Sequence, residues 1–140
     1  MKILLAVDGS EFTRRMLDYI ASHANIFGDS PDYTALTVVP ALPPRAKAFS
    51  NAETVREYYD QEARAVLDPL GEFLAEKGLR ARTEHRAGDP ASEISTAARE
   101  GGYDMVVMGS HGHNALKNLV LGSVVSKVLG GCEVPLLIVR

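Results

Sequence analysis

Residues 103–110 read YDMVVMGS, an apolar run that stops abruptly on a glycine and a serine. A strand with one wet face alternates polar and apolar residues; this one does not, which predicts burial on both faces, as in the middle of a parallel sheet. Before it, GDPASEISTAAREGG (88–102) is a compact helix with both ends marked. Asp89 suits the N-cap, Pro90 the first helical position, and Gly101 or Gly102 the exit. After it come a glycine-containing loop, a short helix SVVSKVLGG (123–131) and a last strand VPLLIV (134–139).

The same alternation extends toward the N-terminus. KILLAV (2–7) is β-compatible and breaks into DGS, where Gly9 permits a turn and Ser10 caps a helix. Met16, Leu17, Ile20, Ala21 and Ala24 repeat there at helical spacing, and Gly28 closes the helix. YTALTVV (33–39) is a second strand, and the proline-rich PALPPRAKAFSN (40–51) reads as a long surface loop with neither ladder nor helix. Over 52–77, Tyr59, Ala63, Val66, Leu67, Leu70, Phe73 and Leu74 hold one apolar face in phase across Pro69. That predicts one kinked helix ended by Gly78. LRARTEHR (79–86) alternates charged with smaller residues, as an edge strand with a wet face would. Strands alternating with helices imply a parallel sheet covered on both faces, a single doubly wound α/β domain over 1–140.

The bulk properties fit this plan. At 140 residues, 46% hydrophobic and 24% charged, the chain is long enough to bury a core without staples. A net charge of −3 gives no basis for a nucleic-acid or acidic-lipid partner. Only Cys132 is present, so no intrachain disulfide forms, and the opening MKILLAVDGS has no signal-peptide pattern. No run has the length of a membrane span. The expectation is a cytoplasmic protein.

In doubly wound sheets, ligands bind beyond the carboxyl ends of the strands where the strand order reverses. VDGS after the first strand and GSHGHNALKNLVLGS after the fourth stand at such ends. Gly109 and Gly112 lack a Cβ that would obstruct a ligand or forbid positive φ. Gly122 and Ser123 lie where the next helix starts, and there unsatisfied amides and the helix dipole favour an anion, with the Ser123 hydroxyl as a further donor. The competing reading is that Gly109 and Gly112 only shape a tight connection and Ser123 only caps a helix, and on residues alone Asp8 reads as ordering its turn.

Gly109, two residues, Gly112, nine residues, Gly122 and Ser123 together form the G-2x-G-9x-G-[S/T] pattern. It resembles the ATP-binding branch of the universal stress protein family, as do the ILLAVDGS start and the VPLLIVR end. The resemblance covers essentially the whole chain. It implies an open five-stranded parallel sheet of order 3-2-1-4-5 with helices on both faces, the adenine nucleotide alpha hydrolase-like fold. It also implies ATP lying across the first and fourth strands. Carried over by position, Asp8 contacts the nucleoside with Ala6 and Val7 beside it, and the Val38 backbone reads the adenine edge. Met108, Gly109, Ser110, His111 and Gly112 wrap the ribose and phosphates, and Gly122, Ser123, Val124 and Val125 meet the phosphate chain. Val125 stands where that branch often has a hydroxyl residue, and Ala115 where it often has glycine; neither change removes a backbone donor.

Other candidates carry less. His111 and His113 have no third and fourth partner for a zinc site, although His111 could touch phosphate. A divalent ion would be magnesium or manganese, held by the nucleotide phosphates and water. No P-loop, nucleophile elbow or kinase motif occurs, and Ser110, His111 and Asp104 make a triad only if geometry does. Lys117 and Lys127 could neutralise phosphate but fit solvated faces, and Cys132 fits a small buried hydrophobe. The apolar last strand would sit at a sheet edge, and the family resemblance implies a homodimer through Val134 to Val139. These readings lead to an ATP-binding regulatory protein that reports through an unidentified protein partner, without a catalytic residue. Alternatives are a nucleotide-independent dimeric scaffold and a slow ATPase or phosphotransferase.

Overall fold

The computed structural model describes all of residues 1–140. Five strands alternate with helices: β1 (Lys2–Ala6), α1 (Glu11–Ser22), β2 (Asp32–Val39), α2 (Pro44–Ala48), α3 (Ala52–Glu76), β3 (Ala81–Ala87), α4 (Pro90–Glu100), β4 (Met105–Gly109), α5 (Ser123–Gly131) and β5 (Leu136–Val139). The strands form one sheet in the expected order β3-β2-β1-β4-β5, and all neighbours are parallel. The chain builds outward from β1 to β3 and then crosses to β4 on the other side of β1. The carboxyl ends of β1 and β4 therefore flank the switch point.

Side-chain alternation along the central strands splits the core into two layers. Ile3, Leu5 and Val7 join Met16, Leu17 and Ile20 of α1 and Leu70 and Leu74 of α3 on one face. Leu4, Ala6, Val106 and Met108 join Ala91, Ile94 and Ala98 of α4 and Val125 and Val128 of α5 on the other. Ile3, Leu4, Val106 and Val107 are 0% exposed, as an unbroken apolar strand with helices on both sides requires. Each such side chain contributes about 1.5–3 kcal/mol by leaving water. The two edges differ in chemistry. β3 exposes Arg82, Thr83, Glu84 and His85, whereas β5 is apolar, with Leu137 on the α1–α3 side and Leu136 and Ile138 on the α4–α5 side.

Helix starts follow the expected chemistry. The Ser10 side chain accepts from the Thr13 amide and caps α1. Asp89 caps α4, accepting from the Ser92 amide at 3.0 Å and the Ser92 hydroxyl at 2.8 Å. Those bonds, the backbone one foremost, hold its carboxyl below the usual 3.8. α3 runs unbroken through Pro69 and stops at Gly78, whose φ of +68° provides the exit. No helix is long and apolar enough to cross a membrane.

Two expectations need correction. α1 ends at Ser22, and Gly28 closes a separate 3-10 turn, Ala24–Phe27, which holds the Ala24 assigned to the helix. The 40–51 segment is not all loop, because Pro44–Ala48 form the short helix α2. Pro44 occupies the first turn, where a missing N–H costs nothing, and Arg45, Ala46, Lys47 and Ala48 favour helix. The Leu42 amide donates to the Tyr59 hydroxyl at 3.0 Å, tying this segment to α3.

Candidate functional site

A cavity of about 680 Å³ opens over the carboxyl ends of β1, β2 and β4, within the range of small-molecule sites. Ala6 of β1 and Val7 just beyond it, Leu36 and Val38 of β2, and Met108 and Gly109 of β4 form its floor. Glu62 and Val66 of α3 stand on one side, Ile94 of α4 and the start of α5 on the other. Asp8, His111, Gly112, Gly122, Ser123, Val124 and Val125 complete the lining among the expected residues. Ser110 is the exception. It is 2% exposed, its amide donates to the Val139 carbonyl at 2.8 Å, and its hydroxyl faces inward to His111 Nδ1 at 3.0 Å.

Asp8 performs two tasks with its two oxygens. Oδ1 accepts from the Ser10 amide and from the Thr13 hydroxyl, both at 2.9 Å, and so orders the turn into α1. Thr13 Oγ1 in turn accepts from the Asp8 amide at 3.1 Å. Oδ2 has no protein donor and lies 2.7 Å from where a Cβ on Gly112 would stand. Gly9, with φ +76°, makes the sharp reversal that aims this carboxylate over the sheet edge.

The loop after β4 is pinned by its own polar groups. The Leu119 carbonyl lies 2.9 Å from His111 Nε2, and the Asp8 carbonyl 2.7 Å from His113 Nε2. A carbonyl only accepts, so both rings donate from Nε2, and His111 Nδ1 pairs with the Ser110 hydroxyl. Both His111 nitrogens are thus engaged within the protein, which removes its ring as a phosphate ligand in this arrangement.

The motif glycines act differently from the expectation. None of Gly109, Gly112 and Gly122 has positive φ; each is small because another part of the chain approaches it. A Cβ on Gly109 would stand 2.8 Å from Phe12 Cβ and 2.9 Å from the Phe12 carbonyl oxygen. One on Gly122 would stand 3.1 Å from His111 Cα. Gly109 therefore seats α1 against β4, while Gly122 lets the β4 loop lie on the start of α5.

Gly122 is the N-cap of α5, and its amide is already used, donating to the Ser110 carbonyl at 2.8 Å. Gly122 therefore shapes the helix start, and the free N–H groups are those that follow it. The first amide of the helix to find an acceptor is that of Ser126, on the Gly122 carbonyl at 3.0 Å. The amides of Ser123, Val124 and Val125 donate to no protein group, and neither do those of His111 and Gly112. Unpaired amides at the positive end of a helix, beside a cavity, form an anion-accepting surface.

A profile of the universal stress protein family matches residues 1–140. The chain belongs to the universal stress protein family. Universal stress protein YxiE of Bacillus subtilis is 33% identical over 147 residues, spanning 99% of this chain and 98% of its own. The solved structure of MJ0577, a universal stress protein of Methanocaldococcus jannaschii, is 26% identical, with a TM-score of 0.80 over 99% of this chain and 94% of its own. A family member from Arabidopsis thaliana, solved with AMP bound, shares the fold at 15% identity and a TM-score of 0.68, over 99% of this chain and 90% of its own.

In this universal stress protein, Ser110, His111 and Asp104 do not form a triad. Ser110 and His111 touch, but Asp104 lies before β4, at the opposite end of the strand, and accepts from the Lys2 amide at 2.6 Å. Lys117 and Lys127 do not line the cavity. Cys132 is half-buried and packs on the α4–α5 core layer. Thr13 and Glu62 were not singled out from sequence. Thr13 had a signal, a hydroxyl on the buried stripe of α1 one turn before Met16 and Leu17. Glu62 had none, because its place at the cavity depends on how far α3 extends past the strand ends.

Proposed function

We propose that this universal stress protein binds an adenine nucleotide in the cavity above β1 and β4, with ATP as the principal ligand, and acts as a regulatory binding protein. The observation that carries the reading is the set of unpaired amides at His111, Gly112, Ser123, Val124 and Val125 beside one cavity. The opposite part of that cavity is apolar, with Leu36, Val38, Ile94 and Met108 offering surface to a planar base. Between the two, Asp8 Oδ2 is free to accept from a ribose hydroxyl. The Arabidopsis relative with AMP bound supports the ligand class. Magnesium or manganese enters with the phosphates, since hard cations take oxygen ligands and no group of three or more His, Cys, Asp or Glu is gathered to hold one. The location that accompanies this reading is cytoplasmic.

Calorimetric titration of the purified chain with ATP and magnesium tests the proposal, together with mass spectrometry of any small molecule it releases. The expected result is saturable binding at one site per chain. Absence of both heat and bound adenine nucleotide favours the nucleotide-independent scaffold, in which the Gly122 and Asp8 bonds serve the fold alone. A slow ATPase or phosphotransferase is the lesser reading, since it would need one of the cavity's side chains to orient an attacking water as well as the amides that hold phosphate.

We further propose a homodimer formed through Val134 to Val139, reporting to a protein partner. β5 pairs only with β4, which leaves its other edge open, and it carries none of the charge that guards β3. Sedimentation at micromolar concentration is expected to give twice the chain mass, and replacing Ile138 by lysine should shift the boundary toward monomer. Monomer alone in the parent protein contradicts the dimer.

A further inference from the structure

Among the residues lining the cavity, Asp8 and Glu62 are the carboxylates, no lysine or arginine is present, and the two histidines, His111 and His113, are each held through Nε2 on a backbone carbonyl. Sites that hold polyphosphates ordinarily oppose them with cationic side chains as well as amides. Glu62 is exposed and makes no hydrogen bond or ion pair within the chain. Asp8 Oδ1 is engaged by Ser10 and Thr13, while Oδ2 is not. The start of α5 supplies about half a positive charge, less than the two carboxylates together. Lys127, on α5, does not line the cavity. With a chain charge of −3, no long-range field draws an anion inward either.

We infer that this site sorts adenine nucleotides by phosphate charge: without a divalent cation it holds AMP more tightly than ATP, and Glu62 contributes to the difference. The inference rests on the adenine-nucleotide reading above. A monophosphate uses the unpaired amides at the lowest cost in repulsion, and each added phosphate charge meets the same two carboxylates. A divalent cation on the phosphates lowers that repulsion, because Asp8 and Glu62 then face a complex with fewer negative charges. Glu62 is therefore expected to oppose metal-free ATP more strongly than the metal complex.

The test is calorimetry on the full chain at low and constant ionic strength, with AMP, with ATP plus a chelator, and with ATP plus magnesium. Metal-free ATP should bind about tenfold more weakly than AMP, and magnesium should restore it. Glu62→Gln, which breaks no bond in the fold, should strengthen metal-free ATP several-fold more than AMP and give no such gain for magnesium-ATP. Metal-free ATP binding as tightly as AMP, or an unchanged ratio between them in Glu62→Gln, overturns the inference and leaves the nucleotide site standing. Failure of all three ligands to bind overturns both.

Discussion

Gly109→Val is expected to destabilise the domain by about 2–4 kcal/mol and to lower its melting temperature by roughly 10 °C, whether or not nucleotide is present. The cause lies in the fold. The new Cβ would start 2.8 Å from Phe12 Cβ and 2.9 Å from the Phe12 carbonyl oxygen, in the first turn of α1. Relief requires α1 to move away from β4, yet Met16, Leu17 and Ile20 of that helix are each 0% exposed beneath it. A close-packed interior transmits such a shift rather than absorbing it. Thermal or denaturant unfolding checks this, and an unchanged midpoint would contradict the packing role.

Gly112→Val should give the opposite profile: a fold within a few degrees of the parent and adenine-nucleotide affinity reduced by about 100-fold, equivalent to about 2.7 kcal/mol. Here the obstructing atom is Asp8 Oδ2, 2.7 Å from the built Cβ, the end of a side chain that can rotate. Rotation breaks the Oδ1 bonds to Ser10 and Thr13, a cost confined to one turn. For the ligand the loss is larger, because the valine fills space beside the unpaired Gly112 amide and displaces the carboxylate assigned to ribose. Calorimetry and a melting curve on the same sample separate the two effects. Retained affinity would remove Gly112 from the site.

These contrasting outcomes show where sequence was enough. The unbroken apolar YDMVVMGS run marked a strand buried on both faces, and Val106 and Val107 are 0% exposed in the sheet centre. Asp89, Pro90 and Gly78 announced helix ends because capping depends on residues a few positions apart. The short α2 was hidden by its prolines, since Pro43 and Pro44 argue against helix everywhere except at its start.

At the site, a spacing pattern identified which residues face the cavity but not what each does. Gly109 is required by Phe12, and Gly112 by Asp8, partners remote in the chain and visible only once α1 and the β1 turn pack against β4. Ser110 sits between two cavity residues yet points inward, because its amide continues the β4 ladder to Val139. The acidic character of the cavity was also out of reach, because it depends on Glu62 arriving from the first half of α3.

The central claim is that unpaired backbone amides at the β4 loop and the start of α5 receive the nucleotide phosphates. Amide chemical-shift mapping of the labelled protein during titration with AMP, and then with magnesium-ATP, addresses those atoms directly. The account predicts the largest saturable shifts at Gly112, Ser123, Val124 and Val125, with smaller ones at Gly122, whose amide is already bonded to Ser110. Saturable binding that leaves those amides unmoved while others respond would contradict it.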